Sequence, residues 1–131
     1  MKVRRTLVSL LIGLSASAQA LHAHHSVGSS FDISQLVTVT GVVTSLRWHN
    51  PHVTLHVDVK NGDGSISDWR MEMKGPSGLS ASGLDQADVR VGMQVRARVF
   101  PAKNGTKSGN MRNLQLADGR NFDVGDTFPQ R

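Results

Sequence analysis

The stretch HVTLHVDVK, His52–Lys60, constrains the fold more than any other. Apolar Val53, Leu55, Val57 and Val59 alternate with polar His52, Thr54, His56 and Asp58. A period of two belongs to a strand with one face in a core. NGDG at Asn61–Gly64 follows it with strong hairpin chemistry. The alternation returns in MQVRARVFPA, where Val95, Ala97 and Val99 oppose Arg96 and Arg98, and in MRNLQLADGR, where Leu114 and Leu116 share a face. Upstream, QLVTVTGVVTSLRW is rich in β-branched residues, which suit a half-buried pleated surface. Val37 and Val39 share one parity there, and Val42, Leu46 and Trp48 the other. That phase slip predicts one long strand with a bulge or sharp bend within Thr40–Val43. SISDWRMEMK returns from the hairpin as a third strand, with Ile66 and Trp69 as its bulky residues.

Between the third and fourth strands lies GPSGLSASGLDQADVRVG. Ser77 is expected to cap a short helix there and Gly83 to end it, with an irregular link as the alternative. Three strands, a short helical or irregular link and two more strands make a mainly β chain. The expected fold is a small five-stranded, OB-like, partly open barrel over residues 35–125. Val53, Leu55, Val57, Val95, Val99 and Leu114 are expected to point inward together. A β-sandwich would need about seven strands.

Residues 1–23 read as a secretory signal peptide. Lys2, Arg4 and Arg5 precede the apolar TLVSLLIGLSASA, and small residues allow cleavage after Ala20 or Ala23. The apolar run is too short to span a bilayer. The expected location is therefore periplasmic or secreted, with no membrane span in the mature form. The full chain carries 15 Lys and Arg against 10 Asp and Glu, a net charge of +5. Without the three basic residues of the leader this becomes 12 against 10, or +2. Such a mildly basic surface, with no Tyr for stacking, argues against nucleic acid as a partner. The chain has no cysteine, which excludes disulfides, thiolate metal sites and a catalytic thiol. Residues 24–34 are expected to form a flexible histidine-bearing arm with Phe31 as an anchor, and residues 126–131 a tail.

Three of the six histidines fall within RWHNPHVTLHV, Arg47–Val57. His52 and His56 share a strand face, but at about 3.4 Å per residue they stand too far apart to grip one ion. His49 and His52 flank Asn50–Pro51, whose turn can bring their rings together. The arm adds His24 and His25, next to a free amine if cleavage follows Ala23. Imidazole and amine nitrogens suit Cu(II), so His24, His25, His49 and His52 are the expected metal ligands and copper the expected ion. The dull alternative is an exposed corner and a tolerated tail. Trp48, Asn50 and Pro51 are read as a structural corner, with Trp48 capping the barrel and the Asn50 side chain bonding turn backbone.

AHHS after the leader, Phe31-Asp32, VTVTGVVTSLRWHNPH at Val37–His52, Asp68-Trp69, VRVGMQVRARVFPAKNG and LADGR resemble the bacterial exported family known as domain of unknown function 6152. The resemblance covers nearly the whole mature chain, the middle link departing most from the usual pattern. It implies the barrel fold and export, and no activity.

No nucleophile–base set is visible, since Glu72 is the only glutamate and Ser77 lacks a strand–elbow–helix context. The expectation is an exported, non-enzymatic binding protein for a transition metal. The alternative is an envelope module holding an acidic or peptide partner through Arg96, Arg98, Lys103, Lys107 and Arg112.

Overall fold

The computed structural model describes residues 27–126. Six strands form one sheet: β1 (Val37–Arg47), β2 (Val53–Lys60), β3 (Ile66–Met73), β4 (Gln94–Pro101), β5 (Ser108–Leu116) and β6 (Asn121–Asp123). Their order is β3-β2-β1-β4-β5-β6, and β3 also pairs with β5. The first five therefore close into a ring, and β6 is an extra strand on β5. The partly open reading needs this refinement. The seam is parallel and short, joining Arg70, Met71 and Glu72 to Ser108, Gly109 and Asn110. An OB-like barrel is the observed architecture.

The alternation read in the sequence builds the core. Val53, Leu55, Val57, Val99 and Leu114 are fully buried, and Val95 is 2% exposed. The third strand fills its share with Met71 and Met73, both fully buried, while Ile66 is 59% exposed and Trp69 only packs against the core.

β1 departs from the expected phase. Val39 and Val43 are buried on one face, and Val42 is 43% exposed. The irregularity lies between Val43 and Ser45, not within Thr40–Val43. Its cause is a change of partner. Val37–Val42 pair with β4 and Val42–Arg47 with β2. One extra residue at Thr44 flips the parity, so Leu46 and Trp48 turn towards the core beyond it. Gly41 has a different task. A Cβ there would overlap the Asp58 carbonyl oxygen and come 2.7 Å from Val57 Cγ1, so glycine lets β2 cross close to β1.

The link holds a helix, Pro76–Ala81, whose N-cap is Gly75, with no side-chain cap bond. Ser77 is thus not the cap: Pro76 takes the first helical position, where its fixed φ and missing N–H cost nothing. The C-terminal end follows expectation. Gly83 has φ +83°, its N–H donates to the Ser80 carbonyl, and Leu84 N–H donates to the Leu79 carbonyl. Buried Leu79 and Leu84 complete this Schellman ending.

Within the expected arm, Val27–Ser30 forms a helical turn and Phe31 makes a β-bridge to Ala102. Asp32 N–H donates to the Pro101 carbonyl at 2.8 Å, and Lys103 N–H to that of Ser30 at 3.0 Å. Phe31 is the anchor, and the stretch from Val27 lies along the loop after β4. His24 and His25 lie outside the described residues, as does the leader. Among the described residues no helix is long and apolar enough to cross a membrane.

Candidate functional site

The corner between β1 and β2 packs on the link. Its Asn50–Pro51 peptide is cis. A Cβ on Gly75 would come 2.7 Å from the Pro51 carbonyl oxygen and 3.1 Å from Asn50 Oδ1. Glycine at this position therefore allows close contact between corner and link. Contrary to the expectation from sequence, the Asn50 side chain does not bond turn backbone. It lies against Gly75 and makes no hydrogen bond to a described residue. Trp48 is half-buried against the core, not fully enclosed as a barrel cap.

Each imidazole of the region has its own partner. His49 Nδ1 lies 3.1 Å from the Asn50 carbonyl. His52 Nδ1 lies 3.3 Å from the Met73 carbonyl and 3.6 Å from Asp126 Oδ2. His56 Nδ1 lies 3.1 Å from both oxygens of Asp68, away from His52 as the strand spacing required. In all three, an Nδ1–H donated to oxygen leaves the Nε2 lone pair unused. Metal-bound histidines show the same arrangement, with the outer ring nitrogen oriented by a carbonyl or carboxylate. Yet the rings of His49 and His52 are held by different groups, and among the described residues no three His, Asp or Glu side chains gather as a metal centre. Among the described residues, His52 pairs only with Asp126, as His56 does with Asp68.

Beside His52 and Asp126 opens a cleft of about 500 Å³. The corner supplies Asn50 and Pro51, the end of β3 supplies Lys74, the link helix supplies Ser77 and Ser82, and Gly125-Asp126 close the far side. Lys74 Nζ donates to Ser82 Oγ, which in turn donates to the Gly78 carbonyl at 3.2 Å. Sequence reasoning missed Lys74, Ser82 and Asp126, because they are far apart in the chain. The glycines at 75 and 125 were the available signal, since both mark close approaches between segments. A Cβ on Gly125 would collide with the Arg112 guanidinium.

The carboxylates held below the ordinary aspartate range all lie in turns or the arm. Ser34 hydroxyl and backbone donors act on Asp32, and those of Ser65 act on Asp63. Asp85 N–H and Arg120 act on Asp88, and Arg120 N–H and guanidinium act on Asp118. The expected basic set is dispersed. Lys103 Nζ donates to the Gly28 carbonyl, Lys107 stands 5.5 Å over the Trp69 ring, and Arg112 donates to the Asp126 carbonyl at 2.6 Å. Arg96 and Arg98 remain exposed on the outer face of β4.

The model of a family of unknown function, DUF6152, matches residues 11–112. The chain belongs to this family. The match takes in the corner, the link helix and Lys74, and stops short of Asp126. Neither comparison with curated proteins nor comparison with solved structures finds a match.

Proposed function

We propose that this family member is an exported, non-enzymatic binding protein for a transition metal, Cu(II), that uses His24 and His25 of the exported N-terminus together with His49 or His52. The supporting observation is the orientation of the imidazoles, each with Nδ1 on an oxygen acceptor and Nε2 left as a ligand atom. Asp126 Oδ2, 3.6 Å from His52 Nδ1, lies on the orienting side of the ring, across from Nε2. The described residues supply no third ligand, so the arm must complete the set.

The seat of Phe31 on Ala102 restricts how it can do so. Four of the residues between His25 and β1 are wound into the Val27–Ser30 turn, at about 1.5 Å per residue instead of about 3.4 Å. The wound turn shortens the reach of His24 and His25 from that seat. Where they do not reach the corner, the arm chelates alone through its amine and rings. Cu(II) titration of the mature protein is compared with a version lacking His24 and His25, and with His49→Ala/His52→Ala. The shared site predicts weaker binding in both. Loss only with the arm makes it an N-terminal chelate, and equal affinity in all three rejects the proposal. Because a ligating imidazole must be unprotonated, uptake should fall as pH drops.

A second reading rests on Arg96 and Arg98, exposed on β4 without a carboxylate partner among the described residues. They suit an acidic partner in the cell envelope.

A further inference from the structure

The cleft beside His52 holds chemistry that metal binding leaves unused. Lys74 makes no ion pair among the described residues, although the residue is only partly exposed and its ammonium group donates to Ser82 Oγ. Its aliphatic stem lies along the link helix, 3.1 Å from where a Gly78 Cβ would stand, so the charge is directed and not free to roam. The Asn50 amide and the Ser77 hydroxyl line the same space, and neither side chain makes a hydrogen bond to a described residue. Asp126 lines it too. A volume of about 500 Å³ is that of a small-molecule site, which commonly spans roughly 300–1,000 Å³. The apolar lining is limited to Pro51 and Ala81 beside glycines, so a lipid tail or aromatic ring has little to rest on.

We propose that the cleft binds a small hydrophilic oxyanion, a carboxylate or phosphate group, with Lys74 as its cation. Asn50 and Ser77 donate to the remaining oxygens. Asp126 would repel a bare anion, so the ligand carries a hydroxyl or amine beside its oxyanion, and this donor faces the carboxylate. An ammonium in a concave polar site forms short charge-assisted bonds to such a group, about twice as strong as neutral ones. Its second contact, to Ser82 Oγ, can persist, because ammonium has three donors.

The test is an amide NMR titration of the metal-free mature protein, with citrate, which carries a hydroxyl, in one arm and glycerol 3-phosphate, a phosphate ester with hydroxyls, in the other. Sodium chloride at matched ionic strength is the control. Saturable shifts at Asn50, Lys74–Ser82 and Gly125 with either anion, absent with chloride, are expected. Citrate alone identifies a carboxylate ligand, and glycerol 3-phosphate alone a phosphate. Lys74→Gln should weaken binding roughly tenfold or more, the equivalent of one charge-assisted contact, while Lys107→Gln, on the Trp69 side, should not. If Lys74→Gln disturbs the amide spectrum as a whole, Ser77→Asp gives the same readout by repulsion from the cleft mouth. No saturable shift with either anion, or equal affinity in a folded Lys74→Gln protein, overturns the proposal. Because no metal is present, either result leaves the copper reading to its own experiment.

Discussion

The turn Asn61–Gly64 and the corner Asn50–His52 sit at opposite ends of β2, and both carry asparagine beside small or constrained residues. At the turn, every polar side chain is tied locally. Asn61 Nδ2 donates to Ser65 Oγ and Ser67 Oγ, and Asp63 Oδ1 accepts from the Ser65 N–H and hydroxyl. At the corner, Asn50 keeps its hydrogen-bonding capacity, as does Ser77 of the link helix lining the same cleft, and His49 and His52 each engage one ring nitrogen. A segment that satisfies its own polar groups has nothing to offer a ligand. The corner, held by packing against Gly75 and by Trp48, retains that capacity and faces a cleft.

Three measurements would break or sharpen this contrast. The largest effect is expected at the packing that holds the corner. Trp48→Ala should cost about 2 kcal/mol in chemical denaturation, less than the roughly 3–5 kcal/mol of a fully enclosed ring, because Trp48 is half-buried. An unchanged midpoint would mean that Trp48 does not support the corner.

A smaller effect belongs to the turn and depends on pH. The Ser65 hydroxyl and N–H hold the Asp63 carboxyl below its ordinary value. A lowered folded-state pKa gives stability that is present above the unfolded value of about 3.9 and is lost as pH falls through the folded one. Asp63→Asn should therefore lower the neutral plateau slightly and flatten part of the acid limb below about pH 4. An acid limb identical to the parent's would remove the turn's self-satisfaction from the comparison.

The smallest effect is expected at Asn50. Its side chain makes no hydrogen bond to a described residue, so Asn50→Ala should change stability by less than about 0.5 kcal/mol, the range of ordinary surface substitutions. A loss well above that in thermal or denaturant unfolding would show that the amide clamps the corner, as sequence alone suggested.

The legibility of the molecule divides along similar lines. β2, β4 and β5 could be read residue by residue, because each keeps one phase and buries one face. β1 could be read as a single bent strand, but its irregularity was placed too early. Valine at position 42 looks like a core residue, and only the exchange of β4 for β2 as partner shows why it is exposed and why Thr44 absorbs the extra position. The helix in the link was foreseen, but its cap was assigned to Ser77 when Pro76 had already claimed the first turn. Of the site, the corner was legible through Trp48, Asn50, Pro51 and the histidines. The cleft was not, since Lys74, Ser82 and Asp126 meet only after the link folds back on the corner. A lysine before Gly-Pro and an aspartate near the end of the chain carry no local pattern.

The change of partner along β1 also bears on how the barrel assembles. β1, β2 and β3 form a meander of sequence neighbours, and β4 with β5 forms a second local hairpin. Their principal junction is the first half of β1 against β4, a pairing of distant segments, with the three-pair seam between β3 and β5 as its complement. Local pairings close small loops and distant ones large loops, whose entropy must be overcome before any contact rewards it. The two hairpin units can thus form separately, and their docking along β1 is the step expected to set the pace. A lesion at Gly41, which pairs with Val95 of β4 while a Cβ there would overlap the Asp58 carbonyl oxygen of β2, would push β2 away right beside the junction, and is expected to slow assembly out of proportion to the single methyl group it adds.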